Sequence, residues 1–309
     1  MSDEAAEGTI SWRELLDEAT ARLRRVGFDT AEHDARRIVE EASGFEGARL
    51  MISLGELVTE RSMARYDDMI ARREASEPLQ YVLGRWGFRT LDLAVDRRVL
   101  IPRPETEMVV EVALGEIDRI AAGRTDPRAP VVVADLGTGS GAIALSVASE
   151  RIHTVVWACD ASADAVAAAR ANLAGIGRAA ARVTIVEGSW FDAFDAVAAS
   201  GESLRGAFDV VITNPPYVPT TDELPASVRD WEPASALFAG EDGLDDLRVI
   251  IAAAPGWLRS AGALVMELDP RQIDAASQLL RAAGFAEVEV HRDLVGRDRI
   301  LLGRLAADA

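Results

Sequence analysis

The 309-residue chain contains no lysine, and all 33 of its basic residues are arginine. That excludes a Schiff-base lysine, a pyridoxal-phosphate lysine and the lysine of a phosphate-binding P-loop. A single cysteine, Cys159, allows no intramolecular disulfide and fits a reducing compartment. The three histidines, His33, His153 and His291, lie far apart without metal-ligand spacing, so no metal is expected. The longest apolar run, near Val249 to Leu258, is too short to cross a bilayer. The acidic start, Met1-Ser2-Asp3-Glu4, lacks the basic region of a signal peptide. A cytoplasmic protein without membrane attachment is expected. Positive charge is scarce too: 51 acidic residues against 33 basic ones give a net charge of −18. Phosphate binding needs clustered positive charge, so a large footprint on DNA or RNA is not expected.

What remains is an ordinary globular composition, 49% hydrophobic and 27% charged, long enough for about two domains. Residues 1–77 read as a small all-α helical bundle. Ser11 to Glu14 forms a capping-box pattern ahead of Leu15, Leu16, Ala19 and Leu23 at helical spacing. Further helices are expected at Asp29 to Ser43, Ala48 to Leu54 and Thr59 to Ser76, the last stopped by Pro78. Residues 78–104 read as a hairpin-like linker, with Leu79 to Leu83 and Leu91 to Val95 as short strands. Pro102 and Pro104 hold its end extended. A helix from Glu105 to Ala122 opens the third part, 105–309. Seven strands follow, starting near 131, 155, 183, 208, 263, 286 and 299, with helices predicted over 141–150, 162–174, 243–259 and 271–283. Such alternation makes an α/β, mostly parallel seven-stranded sheet covered on both faces, here with an antiparallel edge. The Ala/Ser/Gly-rich stretch 193–207 reads as a loose surface insertion.

Two motifs carry chemistry. Asp135-Leu136-Gly137-Thr138-Gly139-Ser140-Gly141 follows a buried strand and opens a helix, and its glycines let a ligand approach the backbone. Nicotinamide and flavin folds use a related turn, but with G-x-G-x-x-G spacing. The G-x-G-x-G form after an acidic residue resembles S-adenosylmethionine (SAM) methyltransferases instead. Asp160 ends the next strand, 23 residues after Gly137, where its carboxylate can accept from both hydroxyls of a ribose.

The second motif is Asn214-Pro215-Pro216-Tyr217, directly after the strand Phe208 to Thr213. A proline pair cannot continue a central strand, so the chain leaves the sheet at its carboxyl edge, where ligands bind in open α/β folds. The motif resembles that of methyltransferases acting on planar, conjugated NH2 nitrogens. Such a nitrogen is a poor nucleophile, and a carboxylate cannot deprotonate it first. The Asn214 side-chain oxygen and the Pro215 carbonyl can each grip one N–H. They aim the developing lone pair at the methyl and stabilise the charge growing on nitrogen, with a rigid backbone that barely reorganises. Tyr217 can pack against the apolar part of the substrate. The methylated nitrogen sheds its proton to water, so no dedicated base is needed.

Three further stretches, together with the helical N-terminus, identify a family resemblance over nearly the whole chain. Pro78 to Gly84 with Phe88, then Leu100 to Glu107, is similar to the linker signature of the HemK/PrmC family. Phe238 to Leu244 resembles its post-motif loop, and Asp293 to Arg299 its final hairpin. The resemblance implies a Rossmann-like class I SAM-dependent methyltransferase preceded by a helical substrate-recognition domain. Its reaction is methylation of the side-chain amide nitrogen of the glutamine in the Gly-Gly-Gln motif of peptide-chain release factors. S-adenosylhomocysteine is the implied product; the oligomeric state is not readable from the residues, a monomer being the default expectation, and from the net charge no direct nucleic-acid binding is expected. By the same resemblance Gly137, Thr138, Gly139, Ser140 and Gly141 line the SAM site, Asp160 holds the ribose and Trp190 flanks the adenine. Asn214, Pro215, Pro216 and Tyr217 bind the glutamine and carry catalysis, with Asn214 reaching the cofactor too.

The chain departs from the family in three places. Ser189 stands where many relatives have Asp, Glu267-Leu268-Asp269-Pro270 replaces a Glu followed by a Gly-containing turn, and the 193–207 insertion lengthens the spacing from Trp190 to the motif. Two rival readings share the residues: a DNA adenine or cytosine amino-methyltransferase, and a non-catalytic SAM-binding docking protein. The first would need a basic recognition region, whereas the arginine pairs here are dispersed among acids.

Overall fold

A computed structural model describes residues 10–126, 128–198 and 203–307. The acidic start of the chain and residues 199–202 of the alanine-rich stretch lie outside the described residues. Contacts divide the chain into a helical unit, up to Arg85 with Ala226–Trp231, and a sheet unit, Trp86–Pro225 with Glu232 onward.

The helical unit holds α1 (Trp12–Arg25), α2 (Ala31–Ser43), α3 (Ala48–Ser53), α4 (Glu60–Glu74) and α5 (Leu79–Leu83). Ser11 caps α1 with the expected reciprocal bonds to Glu14, and Trp12, Leu15, Ala19 and Leu23 form its buried stripe. The buried Tyr66 hydroxyl donates to the Leu15 carbonyl at 3.1 Å, tying α4 to α1. Leu79 to Leu83 is a helical turn, not a strand. Pro78 starts it, its carbonyl accepting the Tyr81 and Val82 N–H groups. Leu79, Tyr81, Val82 and Leu83 are all buried, an arrangement without the alternation of a half-exposed strand.

Next along the chain, β1 (Arg85–Phe88) and β2 (Leu91–Ala94) pair as a separate two-stranded sheet. Then follow α6 (Pro104–Ala122), β3 (Val131–Leu136), α7 (Ala142–Glu150), β4 (Thr154–Asp160), α8 (Ala163–Leu173), β5 (Val183–Glu187), α9 (Asp192–Ala198) and β6 (Phe208–Thr213). After α10 (Ala226–Arg229), which groups with the helical unit, come α11 (Asp245–Ala253), β7 (Leu258–Glu267), α12 (Ile273–Ala282), β8 (Glu287–Arg292) and β9 (Asp298–Arg304). The seven strands from β3 onward order as β5-β4-β3-β6-β7-β9-β8. The first five are parallel and β9 and β8 form the antiparallel edge. All six residues of β6 are buried, the pattern of a strand covered on both faces.

Two more sequence expectations fail here. The 193–207 stretch is not a loose insertion at its start: it forms α9, and Phe194 is fully buried against Phe208 (5.1 Å between rings) and Trp257 (6.0 Å). Alanine favours helix when an apolar anchor holds it to a core. The helix expected to run to 259 ends at Ala253. Pro255 cannot continue it, and β7 begins already at Leu258.

The register decides where the motifs meet. Cys159, Leu136, Thr213 and Met266 pair side by side across β4, β3, β6 and β7. The next residue on each strand is Asp160, Gly137, Asn214 and Glu267.

Candidate active site

The chain order of β3 and its two neighbours makes a crevice at the carboxyl ends of the strands, the usual ligand position in open α/β sheets. The glycine turn fills it. Gly137, Gly139 and Gly141 all have positive φ. At Gly137 the requirement is double: φ is +73°, and a Cβ would lie 3.2 Å from the Trp190 ring. The Gly137 and Thr138 N–H groups both donate to the Cys159 carbonyl at 2.9 Å. Asp160 accepts the Gly139 N–H through Oδ2 and the Ser162 N–H through Oδ1, each at 2.9 Å. Beneath the turn, Asp135 is fully buried. Its Oδ2 accepts from the Thr138 hydroxyl (2.6 Å) and the Ala144 N–H (3.1 Å), and its Oδ1 has no hydrogen-bond partner. Burial pushes its carboxyl up to about 7 against those two donors. Cys159 is buried as well, its thiol pushed up to about 12, and it donates to the Trp190 carbonyl.

Asn214 sits one residue beyond β6. Its Nδ2 donates to the Thr106 hydroxyl oxygen at 3.1 Å, and Thr106 donates to Glu267 Oε2 at 2.7 Å. Tyr217 donates its phenol to Glu267 Oε1 at 3.1 Å. Arg299, from the final hairpin, donates to the Tyr217 oxygen and lies 5.2 Å from the ring centre. Glu267 is fully buried, which raises its carboxyl, while Thr106, Arg299 and Tyr217 pull it down. Tyr217 is raised by burial first and then by Glu267. The turn that departs from the family is well formed. Asp269 accepts the Arg271 N–H at 2.8 Å, and Gln272 reaches back to the Asp269 N–H and donates to the Tyr217 carbonyl at 2.8 Å. The Asp242-Gly243-Leu244 loop presses on the same carbonyl, since a Cβ on Gly243 would lie 2.2 Å from it.

Two cavities open here. The larger, about 410 Å³, lies within the range of small-molecule sites and is lined by Gly137, Gly139, Asp160, Trp190, Asn214 and Pro216 among others. The smaller, about 100 Å³, is lined by Arg103, Asn214, Pro215, Tyr217 and Val218 among others. Asn214, Leu100 and Ala236 face both. Thr138, Ser140 and Gly141 do not line either: the Thr138 hydroxyl turns to Asp135, and the Ser140 carbonyl accepts from Asn172 at 2.8 Å.

Several residues of the site were not singled out individually in the sequence. Arg98 and Val99 line the larger cavity. Asp246 lines it too, its carboxyl raised by burial while the Trp190 side chain pulls it down. Arg103 pairs with the buried Glu232, which also accepts the Ile101 N–H at 3.1 Å and so fixes the Ile-Pro-Arg-Pro strap. Thr106 lies inside a noted stretch, yet nothing marked it apart from its neighbours. Among the described residues no group of three His, Cys, Asp or Glu could hold a metal ion. Among them also, no helix is long and apolar enough to cross a membrane.

Residues 14–84 match the PrmC N-terminal domain family, and residues 125–229 match the Methyltransferase small domain family. The release factor glutamine methyltransferase of Deinococcus radiodurans is 39% identical over 296 residues, covering 95% of this chain and 98% of its own. That of Bifidobacterium longum is 40% identical, covering 93% and 97%. Among solved structures, the N-terminal domain of human METTL16 in complex with SAH superposes with a TM-score of 0.52 over 94% of this chain and 95% of its own. At 14% identity that likeness is one of fold alone. The chain is an S-adenosylmethionine-dependent methyltransferase and belongs to the family of release factor glutamine methyltransferases.

Proposed function

We propose that this protein methylates the side-chain amide nitrogen of the glutamine in the Gly-Gly-Gln motif of class I peptide-chain release factors, by direct transfer from SAM. The observation that supports this most is the placement of Asn214 between two cavities, one sized for a cofactor and one for a small planar group.

The larger cavity suits SAM. Glycine N–H groups without side chains leave room for it, and each Asp160 oxygen keeps a lone pair beyond its backbone bond, enough for the two hydroxyls of a ribose. Trp190 would flank the adenine, and Gly137 and Gly139 the rest. Bound there, SAM supplies an electrophilic methyl on a sulfonium and leaves as S-adenosylhomocysteine. Asn214 Oδ1 and the Pro215 carbonyl would hold the two amide protons of the target glutamine. That holds the nitrogen in line and stabilises the charge it gains. Pro216 borders the cofactor side and Tyr217 packs on the glutamine stem. Asn214 touches both cofactor and target. No residue need remove a proton first, and no metal enters.

The N-terminal helical part, residues 1–77, would recognise the release factor, and Met51, Ile52 and Leu57 stand exposed on it. The protein would act as a monomer in the cytoplasm. The doublets Arg36-Arg37 and Arg72-Arg73 do not favour the DNA reading. Arg36 and Arg37 both pair with Glu40, Arg72 with Glu77, and Arg73 with Asp34, leaving no open basic stripe among them.

The test is mass spectrometry of a release factor from the same organism after incubation with the protein and SAM. One methyl on the Gly-Gly-Gln peptide, absent with a Gln→Ala substrate and with Asn214→Ala enzyme, is expected. Binding of SAM with no methyl added would overturn the substrate assignment and redirect it to DNA or another protein amide.

A further inference from the structure

We infer that Thr106 and Glu267 are positioning residues whose hydrogen bonds decide which end of the Asn214 amide faces the substrate. The inference rests on the function proposed above and concerns residues that function does not itself require.

The reasoning is one of donors and acceptors. An ionised carboxylate only accepts, and a threonine hydroxyl has one proton. With Glu267 ionised, that proton goes to Oε2 at 2.7 Å. The Thr106 oxygen can then only accept, so the Asn214 atom beside it at 3.1 Å must be the NH2 end. Oδ1 is thereby turned away from Thr106, free to accept an N–H of the target amide. The Tyr217 phenol, donating to Oε1, ties the ring of the smaller cavity to the same carboxylate. The polarity therefore runs one way along Asn214, Thr106 and Glu267.

Protonating Glu267 would reverse it. A neutral carboxyl can donate to Thr106, whose proton then points at Asn214. The amide turns over to offer Oδ1 inward and presents its NH2 to the substrate's NH2, donor against donor. No covalent bond changes. The groups facing Glu267 are Thr106 and Glu105 from α6, Tyr217 from the loop after β6, and Arg299 from β9. Glu105 favours the protonated form and the other three the ionised one. The acid limb of turnover should therefore lie above the ordinary carboxylate range, because desolvation of Glu267 is the largest influence on it.

The chain offers an unusually clean probe. It contains two asparagines, Asn172 and Asn214. Selective ¹⁵N-asparagine labelling thus yields two side-chain NH2 pairs. Asn172, bonded to the Ala94 and Ser140 carbonyls, lies outside the chain of bonds and serves as internal reference. Expected in the wild type is an Asn214 pair that shifts as pH falls, with no such transition in Glu267→Gln. In Thr106→Val the pair should move toward solvent-like positions, and kcat on the release factor should fall about 10- to 100-fold while SAM affinity holds within about twofold. Thr106→Ser should restore both. An Asn214 pair unchanged by Thr106→Val, or Thr106→Val turning over at the wild-type rate, overturns the inference. If Thr106→Val does not fold, Thr106→Ser and the pH profile of Glu267→Gln decide in its place, and an unaltered acid limb in Glu267→Gln overturns the inference. Wild-type enzyme that leaves the release factor unmethylated overturns the proposed function, and the spectra, which need no release factor, stand apart from that result.

Discussion

The Asp160 carboxylate accepts the Gly139 N–H at 2.9 Å, so the acidic end of β4 braces the glycine turn at the end of β3. Its other oxygen accepts the Ser162 N–H. Asp160 therefore shapes the turn before any ligand arrives, and keeps one acceptor position per oxygen.

Replacing Asp160 by Ala should cost both roles. A hydrogen bond to a charged group is worth about 1.5–3 kcal/mol, so SAM affinity should fall about 10-fold or more. Isothermal calorimetry measures it directly. Unchanged affinity would remove Asp160 from the site.

Asn214→Ala should leave SAM affinity within a few-fold and lower kcat by about 10²–10³, the usual cost of losing one preorganised group at the reacting centre. Its Nδ2 makes a single bond, to Thr106, so the fold should survive. Near-native turnover with an intact circular dichroism spectrum would reject the proposed grip on the amide.

Phe194→Ala tests the packing of α9. The ring is fully buried among Phe208, Trp257 and Trp157. Removing it should cost about 3–5 kcal/mol in urea denaturation. A loss under about 1 kcal/mol, the scale of an exposed position, would mean that the stretch is as loose as its composition suggests.

Asp135 predicts a pH dependence of stability. Its carboxyl stands at about 7 in the folded protein, against about 3.9 when unfolded. The folded state holds the extra proton between those values, so stability is highest below about pH 4 and falls by up to about 1.4 kcal/mol per pH unit toward 7 as far as this group is concerned. Asp135→Asn, which cannot ionise, should gain on the wild type as pH rises from 5 to 8. A difference between the two that stays flat across that range would refute the assignment.

Much of this protein is legible without coordinates. The helix starts at Ser11 and Thr59 rest on side-chain capping and the one at Thr30 on apolar spacing without a side-chain cap, and the structure agrees within a residue or two. The strands of the main sheet are continuous apolar runs, and the order in which they alternate with helices is itself the argument for a parallel sheet. Local reading failed where context outweighs composition. Leu79–Leu83 has strand-like residues but begins at a proline that turns it into a helix, and α9 has loop-like residues held by one buried phenylalanine.

The sequence by itself determined the two motifs, their place at strand ends and the family, because each rests on neighbours a few residues apart. Only the tertiary structure decided how they combine. The pairing of Cys159, Leu136, Thr213 and Met266 sets Asp160, Gly137, Asn214 and Glu267 one step beyond a common row. The bonds from Thr106 to Asn214 and to Glu267 span 108 and 161 residues of chain. No periodicity or spacing records a hydrogen bond of that separation, since it exists only once α6 packs on a sheet whose strand order is already set.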